Sequence, residues 1–325
     1  MLLILTITLN PAVDKTIQLD NFQLDQVNRV QAMRIDAGGK GINVSHTIKA
    51  MGRESKAFAV IGGHAGEFIK TEMNKEGIEF DYLNVDSETR TNLKIVDSVN
   101  NVHTDINEAG PEVDSSFENT IIKRVDELIH KGDVLVLSGS LLPGLTVTLY
   151  KKLIDVTSKK EAQVILDADG ETLREALKAS PDVIKPNIHE LRRLVSKVLD
   201  HKESIVSFAR ELIKNGSVKK GILVSLGDQG ALWITKDKVL VVDAVQTKVK
   251  STVGAGDAMV AALAIGLSEK MSDVEMLKLA TAAAVARISS DGPIQCSLKQ
   301  LRDISEQVNI YEYKVKTRVL QPKNF

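Results

Sequence analysis

Two short runs in this chain carry residues whose types and spacing suit chemistry on a phosphate. The first is Thr252-Val253-Gly254-Ala255-Gly256-Asp257-Ala258, followed at once by an apolar stretch with helical spacing. Small residues leave successive backbone N–H groups open, and a helix beginning there adds its positive end, so the run reads as a cradle for anionic oxygens. Asp257 stands at the mouth of that helix. Its carboxylate could accept the proton of an attacking hydroxyl, or simply cap the helix, which aspartate also does well. The second run is Ala37-Gly38-Gly39-Lys40-Gly41-Ile42-Asn43-Val44-Ser45. Its glycines allow close backbone approach, Lys40 adds charge, and Asn43 can donate or accept a hydrogen bond. The glycine spacing is neither that of a Walker A loop nor that of a dinucleotide fingerprint. Phosphoryl transfer needs both provisions, donors for the charge on the transferring oxygens and a group to receive the hydroxyl proton.

These runs must be held by a large scaffold. The chain has 325 residues, 43% of them hydrophobic, enough to bury an extensive core. Short apolar runs at Leu3–Leu9, Asp133–Leu137, Gln163–Leu166, Val183–Ile184 and Gly221–Val224 read as strands buried on both faces. Helical periodicity separates them at Phe117–Ile129, Leu149–Thr157 and Ile205–Ile213, and two further helices are expected at Ala258–Leu267 and Met276–Ile288. Alternation of this kind predicts a mostly parallel sheet covered by helices. Residues 15–36 and 89–107 break the rhythm. Lys15–Leu19, Arg29–Met33, Thr89–Ile95 and Val102–Ile106 alternate in polarity, with a turn at Asn100-Asn101, and predict a small sheet with one wet face that projects over a site or pairs with a second subunit.

Charge and composition exclude several classes. Forty-two basic residues against 43 acidic ones give a formal net charge of -1, so no nucleic-acid partner is expected. Cys296 is the single cysteine, which rules out an intrachain disulfide and a multi-cysteine metal cluster. The apolar N-terminal run is cut short by Asn10, Pro11 and Asp14, without the basic start of an export signal, and reads as a buried first strand. No segment reaches the roughly 18 uninterrupted apolar residues of a membrane span, so no membrane partner and a soluble, cytoplasmic protein are expected.

Several separated motifs, taken in order, resemble the PfkB or ribokinase-like carbohydrate kinases. They are Leu9-Asn10-Pro11-Ala12-Val13-Asp14, Ala37–Asn43, Thr89-Arg90-Thr91-Asn92, Ser138-Gly139-Ser140-Leu141-Leu142-Pro143, Lys185-Pro186-Asn187-Ile188-His189-Glu190, Ser225-Leu226-Gly227 and Gly254–Asp257. Within that family the chain is most similar to the 1-phosphofructokinase and tagatose-6-phosphate kinase branch. The resemblance implies a three-layer α/β/α sandwich with a mostly parallel central sheet and a small β lid. Residues 1–320 would form one kinase domain, its discontinuous lid made by about 15–36 and 89–107, with 321–325 as a tail. It also implies ATP and Mg2+ as cofactors, a sugar-phosphate acceptor and a homodimer joined through the lids.

The resemblance carries roles residue by residue. Asp257 is the expected catalytic base, with the backbone of Gly254, Ala255 and Gly256 as anion hole. Asp14 is expected on acceptor hydroxyls, with Gly38, Gly39 and Asn43 lining the sugar and Lys40, Arg90 and Ser138 suited to its existing phosphate. Arg90 also has a physical reason to be there, since guanidinium offers a paired-donor fork. Lys185 and Asn187 are expected near the ATP phosphates, Ser225 and Gly227 at the nucleotide end, and Glu190 on Mg2+ through water. Asn187 and Glu190 also have the spacing of a capping box, so structural capping and metal organisation stand side by side. The implied reaction is phosphorylation of D-fructose 1-phosphate to fructose 1,6-bisphosphate. Tagatose 6-phosphate is the alternative acceptor, fructose 6-phosphate a third, and a catalytically silent sugar-phosphate sensor the reading from another class.

Overall fold

Ile4–Thr8 (β1) is buried along its whole length, and its side chains divide by alternation: Leu5 and Ile7 enter one core, Ile4 the other. A strand apolar on both faces has to lie between two layers, and the rest of the chain supplies them. The computed structural model describes residues 2–100, 102–195, 199–290, 292 and 297–314. Cys296, Asn101 of the anticipated turn and the 321–325 tail lie outside the described residues.

The strands are, in order, Ala12–Leu19 (β2), Ala32–Gly38 (β3), Lys56–Ile61 (β4), Glu79–Asn84 (β5), Arg90–Asp97 (β6), Val102–Asn107 (β7), Val134–Ser138 (β8), Gln163–Asp167 (β9), Val183–Ile184 (β10), Gly221–Ser225 (β11), Ala231–Thr235 (β12), Val239–Val242 (β13) and Ile310–Glu312 (β14). The helices are Lys40–Ala50 (α1), Gly63–Lys75 (α2), Phe117–Leu128 (α3), Leu149–Lys159 (α4), Gly170–Ala176 (α5), Ile188–Leu194 (α6), Lys202–Lys214 (α7), Ala255–Ser268 (α8), Asp273–Ile288 (α9) and Leu298–Glu306 (α10). Ten strands form the main sheet in the order β14-β13-β12-β11-β10-β9-β8-β1-β4-β5. From β11 through β5 every neighbour is parallel, while β11 to β14 run antiparallel. The expected α/β/α architecture with a mostly parallel sheet holds, and β12, β13 and β14 extend that sheet as an antiparallel meander.

Helices cover both faces. Apolar side chains of α3, α4, α5, α6 and α7 pack with Leu135, Leu137, Val164 and Leu166 on one face. Those of α1, α8, α9 and α10 pack with Val134, Val136 and Ile165 on the other. No helix among the described residues is long and apolar enough to cross a membrane.

The lid is a separate four-stranded sheet, β3-β2-β6-β7. Its register puts Asp14 beside Asp36 and Asn92, and Thr16 beside Arg34 and Lys94. Alternation therefore turns a polar face toward the body and leaves Met33, Ile35, Val102 and Ile106 exposed on the other. One boundary needs correction. The strand expected at Arg29–Met33 begins instead at Ala32 and runs to Gly38, because its partner β2 pairs from Gly38 opposite Ala12 to Ala32 opposite Gln18 and then ends. Gln31 makes the last rung, its N–H donating to Gln18 O at 2.8 Å.

Candidate active site

α8 begins at Ala255, three residues before the expected start at Ala258, and its position is fixed by packing. Its sequence AGDAMVAALAIGLS is apolar all round, and every residue from Asp257 to Gly266 is buried. Gly254 caps it with φ of +82°, a left-handed conformation that glycine adopts without strain. Asp257 is therefore the third residue of the helix and makes no cap, which removes the capping explanation for it. Its Oδ2 accepts a hydrogen bond from Asn43 Nδ2 at 2.8 Å, joining α8 to the neighbouring α1. The N–H groups of the first turn of α8 have no acceptor within the helix, so they are available to an anion.

Electrostatics set Asp257 apart. Burial, reinforced by the negative charge of Asp167, pushes its carboxyl up to about 6, with Asn43, Lys40 and Lys185 pulling the other way. Such a group is ionised at neutral pH yet basic enough to take a proton.

Asp167, at the carboxyl end of β9, is the residue that reading the sequence missed. It is 1% exposed and lies between two lysines, with Lys40 Nζ 3.2 Å from Oδ2 and Lys185 Nζ 3.3 Å from Oδ1. The second contact is an ion pair outside hydrogen-bond geometry. Burial alone would raise this carboxyl, but Lys185 and Lys40 outweigh it and hold it below the usual range. Lys40 is raised in turn: burial works against its charge, and Asp167, Asp257 and Glu190 more than compensate. Lys185, itself 4% exposed, lies under the glycine loop, with Nζ 3.2 Å from where a Cβ on Gly256 would stand. The only sequence signal for Asp167 is an acidic residue closing an apolar strand.

Two clefts open beside this centre. The larger, about 610 Å³, lies between the lid and the body and is lined by Asp14, Asn43 and Gly254 among others. Asp14 Oδ1 accepts from Asn92 Nδ2 at 2.9 Å, and burial raises the Asp14 carboxyl despite that bond and the charge of Arg90. Gly38 is needed for Asp14, since a Cβ there would collide with the carboxylate, whereas Gly39 fits against Thr8 and Pro11. The smaller cleft, about 440 Å³, is lined by Lys40, Arg90, Ser138 and Glu190. Thr8 lines it too, and Ser138 Oγ and Thr8 Oγ1, at the ends of adjacent strands, are buried without a hydrogen-bond partner among the described residues. Arg90 spends three nitrogens on the carbonyls of Asn10, Pro11 and Glu108, which pins it at the base of the lid.

The residues expected at the nucleotide end lie on the same carboxyl edge of the sheet. Asn187 caps α6 in a full capping box: its side chain accepts from Glu190 N, and Glu190 Oε2 accepts from Asn187 N, both at 2.9 Å. The capping half of the sequence reading thus holds, and it leaves the second carboxylate oxygen of Glu190 for other work. Ser225 bridges to Asn187 across the end of β11, while Gly227 is exposed, with nothing within 4 Å of a Cβ placed on it. Among the described residues no group of three or more His, Cys, Asp or Glu side chains could hold a metal. A single carboxylate with one oxygen unused, as in Glu190, is compatible with Mg2+, which keeps several waters and takes phosphate oxygens as ligands.

Known proteins are similar to this chain over nearly its whole length. The chain is 36% identical over 312 residues to a 1-phosphofructokinase of Xanthomonas campestris pv. campestris, covering 94% of this chain and 97% of that one. It is 32% identical over 289 residues to a 1-phosphofructokinase of Bacillus subtilis, covering 89% and 93%. The crystal structure of phosphofructokinase-2 from Escherichia coli in complex with fructose-6-phosphate superposes with a TM-score of 0.88 at 30% identity, over 94% of this chain and 99% of that one. The sequence pattern of the pfkB family carbohydrate kinases matches residues 7–300. With that span and those identities, the chain belongs to the pfkB family of carbohydrate kinases and is an ATP-dependent sugar-phosphate kinase.

Proposed function

We propose that the chain transfers the γ-phosphoryl group of ATP to the 6-hydroxyl of D-fructose 1-phosphate, giving ADP and fructose 1,6-bisphosphate. The observation that carries this reading is Asp257, basic, buried and tied to Asn43 in the first turn of a helix whose cap lines the same cleft as Asp14. Asp14, Asn43 and the space left by Gly38 and Gly39 orient the sugar. Lys40, Arg90 and Ser138 hold its phosphate. As the 6-oxygen attacks and its bond to phosphorus forms, Asp257 takes the hydroxyl proton while the bond to the ADP oxygen breaks. The N–H groups of the Gly254–Asp257 turn and the Lys185 ammonium receive the charge that develops on the transferring oxygens. Asn187, Ser225 and Gly227 line the nucleotide end. Mg2+, when bound, neutralises the β- and γ-phosphate oxygens, and Glu190 is the residue that would hold it, through water.

The choice of acceptor rests on two relatives named 1-phosphofructokinase. A coupled ADP-release assay on the purified protein with fructose 1-phosphate, tagatose 6-phosphate and fructose 6-phosphate tests it. The highest kcat/KM should fall on fructose 1-phosphate; a preference for either of the others moves the substrate assignment there. Binding of ATP and sugar phosphate without turnover would return the chain to the sensor reading.

We also propose that the chain works in the cytoplasm as a homodimer, and the lid supports the pairing. Leu24, Val27, Met33 and Ile106 are each more than half exposed on the lid and its connecting loop, an apolar area suited to a second copy of itself. Sedimentation at micromolar concentration should give twice the 35.5 kDa of one chain. A species at the single-chain mass would sink the pairing.

A further inference from the structure

Tyr150 takes no part in the phosphoryl-transfer steps, yet it is the largest side chain fully enclosed among the described residues. It stands in the first turn of α4, its ring packed into the core that α4 shares with Leu135, Leu137, Val164 and Leu166. A buried phenol needs a partner for its hydroxyl. This one donates to Gly139 O at 3.2 Å. Burial, with the negative charge of Asp167 adding to it, holds the phenol above its ordinary value, so the proton stays on the oxygen and the group is a neutral donor.

Gly139 follows Ser138 at the end of β8, and both polar groups of its backbone are held. Tyr150 takes its C=O, while its N–H donates to Asp167 O at 3.1 Å. Its φ of +96° is open to glycine and strained for other residues. Glycine is also the residue with most freedom to lose, so the two hydrogen bonds decide where this turn stands. Further along, Asn10 Nδ2 donates to Leu141 O at 3.2 Å. The turn so fastened, Ser138 to Leu141, lines the smaller cleft together with Lys40 and Arg90. The Lys40 stem runs beside it, its Cβ 3.5 Å from where a Cβ on Gly139 would stand.

We propose that Tyr150 is a positioning residue for the acceptor's phosphate: by holding Gly139, its hydroxyl sets where Ser138 stands relative to Lys40 and Arg90. This rests on the reading that Lys40, Arg90 and Ser138 hold that phosphate, and deepens it. Tyr150 has no exposed surface, so it meets no ligand itself and acts through the turn. ATP should not feel the same change. Asn187, Ser225 and Gly227 stand at the ends of β10 and β11, two and three strands away from β8 across the sheet.

Tyr150→Phe keeps the ring and its packing, and with them the fold, and removes one oxygen. Initial rates on the full-length protein give KM separately for ATP and for fructose 1-phosphate in wild type, Tyr150→Phe, Ser138→Ala and the double variant. Tyr150→Phe should raise KM for fructose 1-phosphate about fivefold, as for loss of a neutral hydrogen bond, and leave KM for ATP within about twofold. Ser138→Ala should raise the same constant. On that background Tyr150→Phe should add less than about twofold, because both changes act on one contact. Ile154→Val, buried on the same helix, thins the same core without removing a hydrogen bond; it should lower the thermal midpoint and move neither constant. A purely structural hydroxyl would make Tyr150→Phe behave like that control. A KM for fructose 1-phosphate within about twofold of wild type, an equal rise for ATP, or effects of Tyr150 and Ser138 that multiply independently would therefore overturn the proposal. Ser138→Ala effective with Tyr150→Phe silent sinks this proposal alone; both silent sink the phosphate assignment with it. If wild type prefers tagatose 6-phosphate or fructose 6-phosphate, that acceptor serves as the probe, since each carries a phosphate. Should no acceptor turn over, the kinase assignment of the substrate fails separately, and the same comparison is read from dissociation constants of fructose 1-phosphate.

Discussion

Asp257→Asn lowers turnover about a thousandfold while leaving the dissociation constants of ATP and sugar phosphate within a few-fold of wild type. The amide has the shape of the carboxylate and can still accept from Asn43 Nδ2, so the joint between α1 and α8 survives. What disappears is the group that takes the proton, and positioned general bases contribute about 10²–10⁴. Single-turnover measurements with saturating ATP and acceptor read this directly. Retention of more than about a tenth of the wild-type rate would remove Asp257 from the proton's path.

The same residue fixes the pH dependence. In the folded protein Asp257 titrates at about 6 rather than 3.8. Its basic form therefore accumulates as pH rises, and the rate should climb about tenfold per unit below 6 and level off above it. The acceptor's own phosphate ionises in the same range, so its dissociation constant is titrated in parallel to separate the two. Stability runs the opposite way. A carboxyl raised on folding favours the native state below its unfolded value, and that contribution is lost as pH rises through 6. Removing the charge should accordingly stabilise the protein above pH 6, on the order of 3 kcal/mol at most. A variant that loses activity while its thermal midpoint rises at pH 7.5 and stays unchanged at pH 4 would show both halves of the effect. A midpoint that falls at pH 7.5 would mean the carboxylate is favourably placed, contrary to the raised value.

Legibility followed sequence distance. Strands buried on both faces announced themselves, because each is a short apolar run: β8, β10 and β11 were expected within a residue or so of their bounds. Lys56–Ile61 is almost as deeply buried and escaped notice, although Gly52 before it and Gly62-Gly63 after it mark its ends; a short apolar run by itself does not distinguish strand from helix. In the lid, alternation marked the strands correctly but not where they end, which depends on how far β2 extends beside them. Asp257 could be found because the glycines beside it and the apolar helical run that follows are local. Its nearest partner, Asn43, is 214 residues away in sequence, and only the family resemblance placed both at one site. Asp167 had neither help. Its meaning comes from Lys40, 127 residues earlier, and from Lys185, which meet only when β9, β10 and the start of α1 come together at the carboxyl edge of the sheet.

Asp167→Asn should cost more stability than any other change at the site. Lys185 is nearly inaccessible, and removing the carboxylate leaves two ammonium groups facing each other with no counter-ion between them. Breaking a buried pair of this kind costs about 3–5 kcal/mol, measurable as a fall in the denaturation midpoint at pH 7. A purely structural role would end there. A positioning role reaches the chemistry, because Asp167 both fixes the lysines and raises Asp257. With its charge gone, Lys40 and Lys185 can turn toward Asp257, whose carboxyl should drop below 6. The acid limb of the rate profile should then move to lower pH, while misplaced cations lower the plateau, about 10- to 100-fold for displacements near 1 Å. The two effects have different origins and are separated by working at low temperature, where the variant stays folded. A limb still centred at about 6 in a folded variant would confine Asp167 to holding the sheet edge together; a shifted limb would make it the residue that sets the basicity of the catalytic carboxylate from behind the two lysines.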